Sequence, residues 1–457
     1  MPLLPPCTAH GQSKPYYTAI HSGVPWFDDR GRIVSAHGAN IVIEHGRYYL
    51  FGEAHSDTSN AFAGFNCYSS TDLRNWKFER TALPVQDSGR LGPDRVGERA
   101  KVLKCAKTGE YVMVMHTDNM RYKDPCIGYA TSKNITGPYT FRGPIMFNGQ
   151  PIRRWDMGTF QDADGSAYLM LHGGLLYKLS DDYRSISELV IDNKWRGAEA
   201  PAIFKKNGTY FWLASDLTGW ERNDNFYYTS TALKGPWIAR GYFAPKGTAT
   251  WNSQTSFVLP IPGKADTTYV YMGDRWSSTR QASAATYVWQ PLQVLDSTIS
   301  LPEFQEAWKI DAKGKMLFMT QTGKKVIRPD DKQHFKYWGN WSQDTLTVRS
   351  ASTSGDSLHV RFSGSQVCLY GLSRPDGGYA LVKLYDNQGR VRFTTTIEMY
   401  CKYPISTPAF LSPVLPKGSY MLTLAVLGLH WGWKEKSGRV SGSKGNVISI
   451  ERIVVTK

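Results

Sequence analysis

The chain has 457 residues, 41% of them hydrophobic, which is enough for real cores and points to two domains. Its formal net charge is +15, but Lys and Arg form no clustered run, which argues against nucleic-acid binding. An anionic glycan suits such a charge better, and a soluble basic surface better still. No stretch of about 18 apolar residues occurs, so nothing reads as a membrane span. Cys7, Cys67, Cys105, Cys126, Cys368 and Cys401 form no C-x-x-C pair. A zinc site is therefore not indicated, and disulfides are permitted but not assignable. The start, Met1 to Pro6, lacks the pattern of a signal peptide; a secreted chain without its leader and a cytosolic chain would both read this way.

Taken in chain order, one three-part unit recurs. A small-residue-rich strand comes first: HGANIVIEHG, ERAKVLKCAKTG, DMGTFQDADG, EAPAIFKKNG and QTSFVLPIPG. A turn and an aromatic strand follow: GRYYLFGE from Gly46, GEYVMVMH from Gly109, GSAYLMLH from Gly165, GTYFWLAS from Gly208 and TTYVYMGD from Thr267. An outer hairpin closes most units, as in Tyr68 to Phe78, Tyr129 to Phe141 and Tyr227 to Ile238, with a degenerate copy from Tyr177. Runs of strand length bounded by Gly and Asp, repeating roughly every 45–60 residues, predict antiparallel propeller blades. Helical periodicity is nearly absent. The predicted fold is all-β: a five-bladed β-propeller over residues 1–312, then a β-sandwich of jelly-roll type over 313–457.

The phase of the units names candidate site residues. Their first strands open at His37, Glu98, Asp156, Glu199 and Gln254. The interval to the turn is nine residues in four units and eleven in the second, Glu98 to Gly109. In a propeller the first strand of each blade lines the axis, so these polar residues face one funnel. A merely hydrated channel is the plain alternative.

Glycosidic hydrolysis needs an acid for the leaving oxygen and a way to activate water. Carboxyls across a small funnel fit inversion, where roughly 6.5–9.5 Å must separate them. Like charges in one cleft keep one carboxyl protonated. Glu98, Asp156 and Glu199 supply three carboxyls, with Glu53 expected as a fourth at the rim. No cofactor is required. A structural calcium in the channel is compatible with this reading but has no sequence signature.

The segments HSGVPWFDDRGRIVSAHGANI, YYLFGE, SSTDLRNW, ERAKV, RWDMGTFQDADGSAYL, EAPAIF, WNSQTSFV and GDRW with YVWQPL resemble glycoside hydrolase family 43, and most its exo-β-1,3-galactanase branch, over roughly residues 20–295. The resemblance implies that Glu199 is the general acid and Asp156 the carboxylate that orients it and raises its pKa. It implies that Glu98 and Arg99 contact hydroxyls of the terminal sugar, with Glu53, Tyr122, Thr218 and Trp220 as further contacts. Most of the family uses a first-blade aspartate as base; here that stretch is AHGAN, with His37. As in the galactanase branch, the resemblance puts a glutamine, Gln254, near the water. An ordinary amide is not basic enough to take the proton. Gln254 then acts either as an imidic acid or only as a positioner, with Glu98 receiving the proton in the second case. His37 reads as a channel histidine.

After residue 312 alternating strands such as TLTVRS, SLHVRFSG and YALVKLYD appear. They resemble the modules that accompany carbohydrate-active enzymes. Tyr400, Tyr403, Trp431 and Trp433 are expected as exposed aromatics able to stack on sugar, against the alternative of a purely structural module. The predicted activity is release of galactose from β-1,3-linked galactan such as the arabinogalactan backbone, by a periplasmic or secreted monomer. An arabinofuranosidase or xylosidase of the same family, and a non-catalytic glycan-binding propeller, are the alternatives.

Overall fold

The computed structural model describes residues 15–457 apart from 265, 312–313, 320–323, 345–346, 435–437 and 439. Cys7 lies outside the described residues, as does the side chain of Trp433. The fold is all-β; the helical elements are short turns such as Ala249–Asn252 and Gln281–Ala284.

Five four-stranded antiparallel sheets follow one another along the chain. Sheet 1 is His37–Glu44, Arg47–Glu53, Phe65–Ser70 and Lys77–Leu83. Sheet 2 is Arg95–Lys104, Tyr111–Asn119, Cys126–Ser132 and Thr140–Pro144. Sheet 3 is Met157–Gln161, Ala167–Leu171, Leu175–Leu179 and Ile186–Asp192. Sheet 4 is Glu199–Lys206, Thr209–Ser215, Phe226–Ser230 and Ile238–Tyr242. Sheet 5 is Gln254–Pro262, Thr267–Arg275, Thr286–Leu295 and Thr298–Ser300. Gly46, Gly109, Gly165 and Gly208 turn the first strand into the second at positive φ, where glycine carries no Cβ penalty. Each first strand packs on the next, and that of sheet 5 returns to that of sheet 1. The aromatic second strands fill the space between sheets: Met113 and Met115 pack with Phe51 and Phe65, and Phe211 with Tyr269 and Tyr271.

The second unit is built mainly on two large antiparallel sheets, with a small two-stranded pair, Gly432–Lys434 and Val440–Gly442, beside them. One is built on Ile448–Thr456, which pairs with Gln366–Ser373, Arg349–Ala351 and Lys324–Ile327. The other orders Phe335–Trp338, Ser357–Gly364, Gly418–Val426, Tyr379–Tyr385 and Val391–Glu398. Alternation along Ser357–Gly364 buries Leu358, Val360 and Phe362 in the core that also contains Leu369, Ile450 and Ile453. Ile20–His21 pairs with Ala307–Ile310, which pairs in turn with Met316–Phe318. The five described cysteines are buried and unpaired.

Candidate active site

Three first strands share one local device. The register slips between His37 and Asn40, between Glu98 and Lys101, and between Glu199 and Ala202. Each slip places a residue in the left-handed region: Gly38 at φ 59°, Arg99 at φ 56° and Ala200 at φ 52°. A bulge of this kind re-aims the side chain beside it. The left-handed conformation costs a residue with a Cβ about 1–2 kcal/mol. At each slip a carboxylate from a neighbouring sheet, or from the segment entering one, accepts the exposed N–H, which offsets that cost at Arg99 and Ala200. Gly38 N donates to Asp274 Oδ2 at 3.0 Å, Arg99 N to Glu53 Oε1 at 2.7 Å, and Ala200 N to Asp156 Oδ2 at 2.8 Å. At Gly38 a Cβ would collide with Glu53 Oε1, which accounts for the glycine in AHGAN.

Arg99 is the hub of the ring. Its Nη2 donates to Gln254 Oε1 at 2.7 Å and its Nη1 to the Thr255 carbonyl at 3.2 Å. Its Nε lies 3.0 Å from Asp156 Oδ1. One guanidinium thus ties sheets 2 and 5 to the segment entering sheet 3, as its planar fork allows.

Gln254 is buried and fully engaged at its oxygen. Trp276 Nε1 donates to the same Oε1 at 2.8 Å, and Gln254 Nε2 donates to Ser215 Oγ at 3.0 Å. Indole and guanidinium nitrogens only donate, so the atom between them is the amide oxygen.

The carboxyls are sorted by their partners. Glu98 accepts from Tyr122 Oη at 2.7 Å and from His116 Nδ1 at 3.0 Å. Burial works against its ionisation, but those bonds outweigh it and hold Glu98 below the usual carboxylate range. His116 shows the converse. Burial opposes its charge, yet Asp118 and Glu98 push its pKa up to about 9. Glu199 is half-buried, and its carboxyl has no hydrogen bond among the described residues. Burial, then the charge of Asp156, raise its pKa well above the usual value, with Arg99 opposing. A carboxyl whose pKa is raised therefore stands near one whose pKa is lowered.

The sequence-predicted residues come together unevenly. Glu98, Arg99, Asp156, Glu199 and Gln254 meet around the axis. Glu53 departs from the expectation of a rim position: it is 1% exposed, with Oε1 accepting from the Arg99 backbone N–H and Oε2 3.0 Å from His55 Nε2. Tyr122 stands at the mouth, 36% exposed. Thr218 lies in the loop between the second and third strands of sheet 4, where its hydroxyl donates to the Glu221 carbonyl and accepts from Asn223 Nδ2. Trp220, on the same loop, meets Trp276 edge-on at 5.1 Å. His37 is stacked on Tyr287 at 4.5 Å, with Nδ1 2.9 Å from Asp274 Oδ1.

Sequence reasoning passed over His116, Ser215, Asp274 and Trp276. All lie in the later half of a second strand or just past it, and His116, Ser215 and Asp274 pair with Glu98, Glu199 and Gln254 across the ladder. Extending the phase argument to the second strand would have found them. Below the ring, the Lys101 ammonium donates to the carbonyls of Gly38, Ala39 and Ser256 at 2.7, 2.7 and 3.0 Å. Among the described residues no group of three or more His, Cys, Asp or Glu is placed to hold a metal.

The aromatics of the second unit depart from expectation as well. Tyr400 and Trp431 are buried, stacked on each other at 5.4 Å against the loop that carries Arg222, so neither offers a face to sugar. Tyr403 is held by a hydrogen bond from its hydroxyl to the Thr248 carbonyl.

The model of glycosyl hydrolases family 43 matches residues 35–276. By structure the chain is similar to an exo-β-1,3-galactanase from Phanerochaete chrysosporium solved with galactose, at 26% identity over 96% of this chain and 100% of that one, TM-score 0.69. A glutamate-to-glutamine variant of that enzyme, solved with β-1,3-galactotriose, gives a TM-score of 0.70. A family 43 β-1,3-galactosidase solved with galactodeoxynojirimycin is 29% identical, covering 65% of this chain and 98% of that one, TM-score 0.54. No curated protein sequence matches the chain.

Proposed function

The chain belongs to glycosyl hydrolases family 43, and from that premise we propose that it is an exo-acting, inverting β-1,3-galactosidase that releases galactose from β-1,3-linked galactan. The observation that carries the reading is the convergence of Asp156 and Gln254 on the Arg99 guanidinium, beside a Glu199 whose pKa is raised by burial and by Asp156 and a hydrogen-bonded Glu98 whose pKa is lowered. The likeness to enzymes solved with galactose and β-1,3-galactotriose supports the substrate.

Glu199 gives its proton to the leaving glycosidic oxygen. Asp156 keeps that proton in place until the bond breaks, because ionising Glu199 beside it puts two like charges in one half-buried cleft. Asp156 also holds the Ala200 N–H, which fixes the strand end that carries the acid. Glu98 and Tyr122 present a carboxylate and a hydroxyl to the sugar hydroxyls, with Arg99 behind them.

Gln254 works as an amide. An imidic acid would put a proton on Oε1, between two groups that can only donate. The N–H of Nε2 not used by Ser215 orients the attacking water, and its proton passes to a carboxylate such as Glu98. This chemistry needs no cofactor.

In this reading the five sheets are the blades of a propeller and residues 313–457 form a jelly-roll sandwich behind it. A polymeric galactan such as an arabinogalactan backbone places the enzyme in the periplasm or outside the cell, as a monomer. Thin-layer or chromatographic analysis of products from β-1,3-galactobiose tests the proposal. Galactose released by the wild type and lost in Glu199→Gln is the expected result. Turnover of an aryl arabinofuranoside but not of galactobiose would reject the substrate.

A further inference from the structure

The described residues hold a second buried charge centre outside the ring, at the junction of the two units. Arg222, in the loop between the second and third strands of sheet 4, has a fully buried side chain. Its Nη2 donates to Glu398 Oε2 at 3.2 Å, its Nη1 to the Trp276 carbonyl at 3.0 Å and its Nε to Asn252 Oδ1 at 2.9 Å. The three contacts come from three segments, and each leads towards Gln254 or away from it into the second unit.

Two of them bear on Gln254 directly. Trp276 is the residue whose indole donates to Gln254 Oε1. Asn252 closes a run, Ala249 to Asn252, in which all four residues have positive φ, 48–58°, two positions before Gln254. Such a run is costly and persists only where its surroundings over-determine it. Arg222 holds its last side chain, and Asp224 accepts from the N–H of Ala249.

The third contact is the charge partner. Glu398 ends the strand Val391–Glu398 of the second unit and is itself almost fully buried. A buried guanidinium without its carboxylate is destabilised by several kcal/mol and draws water or moves. The second unit grips the loop at further points. The Tyr400 and Trp431 rings lie 5.2 and 5.5 Å from the guanidinium carbon. Tyr400 Oη donates to Glu221 Oε2 at 2.8 Å, and Lys402 Nζ to the Arg222 carbonyl at 2.6 Å.

We propose that Glu398 of the second unit is a positioning residue for Gln254, acting through Arg222 and Trp276, so that the second unit sets the geometry at which water is held. The proposal rests on the reading of Gln254 as the residue that orients water. It assigns the junction a part in turnover beyond adhesion between the units.

A double-mutant cycle separates the two roles. Wild type, Glu398→Gln, Gln254→Ala and the double variant are assayed for kcat and KM on β-1,3-galactobiose, with melting temperatures alongside. Glu398→Gln is expected to lower kcat by about tenfold with KM within about twofold, because a displaced water-holding group slows attack without loosening the sugar. In the Gln254→Ala background the same change is expected to cost less than about twofold. An equal loss of kcat in both backgrounds overturns the proposal, as does a lower melting temperature with kcat unchanged. Where Glu398→Gln does not fold, Arg222→Lys carries the same cycle. A wild type active only on an aryl arabinofuranoside rejects the substrate reading, and the cycle run on that glycoside still decides the relay. A wild type that hydrolyses neither overturns both.

Discussion

Trp276 and Arg99 donate to one and the same oxygen of Gln254, at 2.8 and 2.7 Å, with the guanidinium carbon 5.5 Å from the indole ring. That relationship fixes which end of the carboxamide faces which neighbour and leaves Nε2 as its reactive edge.

Replacing Gln254 tests the consequence. Gln254→Ala is expected to lower kcat by roughly 10²-fold while KM for β-1,3-galactobiose changes little, the signature of a group that acts on the water. Gln254→Glu keeps an acceptor for both donors but removes the N–H. It is expected to be about as slow as the alanine variant, and wild-type turnover in it would show that a basic atom, not a donor, is what the position needs.

Glu199 governs the alkaline side of the rate profile. Its pKa is raised, and the acid is useful only while protonated, so kcat should fall as pH rises through that value. Glu199→Gln should lower kcat by roughly 10²–10⁴-fold and abolish this limb. Stability follows the same sign. A raised folded pKa contributes stability that is fully present below the unfolded value near 4.5 and is lost as pH rises through the folded one. Melting temperatures of wild type and Glu199→Gln should therefore diverge with rising pH, in favour of the glutamine variant.

His116 supplies a second pH test. Its folded pKa of about 9 lies above the ordinary 6.5. The stability it contributes is therefore full below pH 6.5 and lost as pH rises through about 9. His116→Gln should cost about 3 kcal/mol at pH 6, since it breaks a buried charge pair, and much less at pH 10. Urea unfolding at the two pH values checks this. Glu98 loses a charged donor in the variant, so KM should rise as well.

Lys101 closes the axis beneath the site. Lys101→Met leaves the carbonyls of Gly38, Ala39 and Ser256 without their donor, each a buried acceptor with a desolvation cost of about 1–3 kcal/mol. Thermal unfolding should show a large loss, with activity falling only as the folded fraction does at the assay temperature.

Much of the strand layout was legible because its causes are local. Turn glycines such as Gly46 and Gly208 and the aromatic runs after them mark each first hairpin. A count of nine residues then carries the phase to His37, Asp156, Glu199 and Gln254. Glu199 and Asp156 could be placed from that phase, and the family resemblance proposes their roles. Glu53 was placed wrongly because a glutamate at a strand end looks the same whether it meets solvent or the N–H of a neighbouring sheet. Tyr400 and Trp431 were expected to be exposed for a related reason. Aromatic residues suit a strand on either face, and which face is covered depends on a loop about 180 residues away in the sequence.

The sequence by itself determined the all-β character, the repeat and the identity of the polar residues at the ring. These depend on side-chain alternation and turn chemistry within a dozen residues. Only the tertiary structure decided what each ring residue is chemically. The raised pKa of Glu199, the lowered pKa of Glu98 beside His116 and the doubly anchored oxygen of Gln254 are set by burial and by partners on other strands and sheets. Protonation and hydrogen-bond direction follow from distances across the fold, and spacing along one chain does not encode those distances.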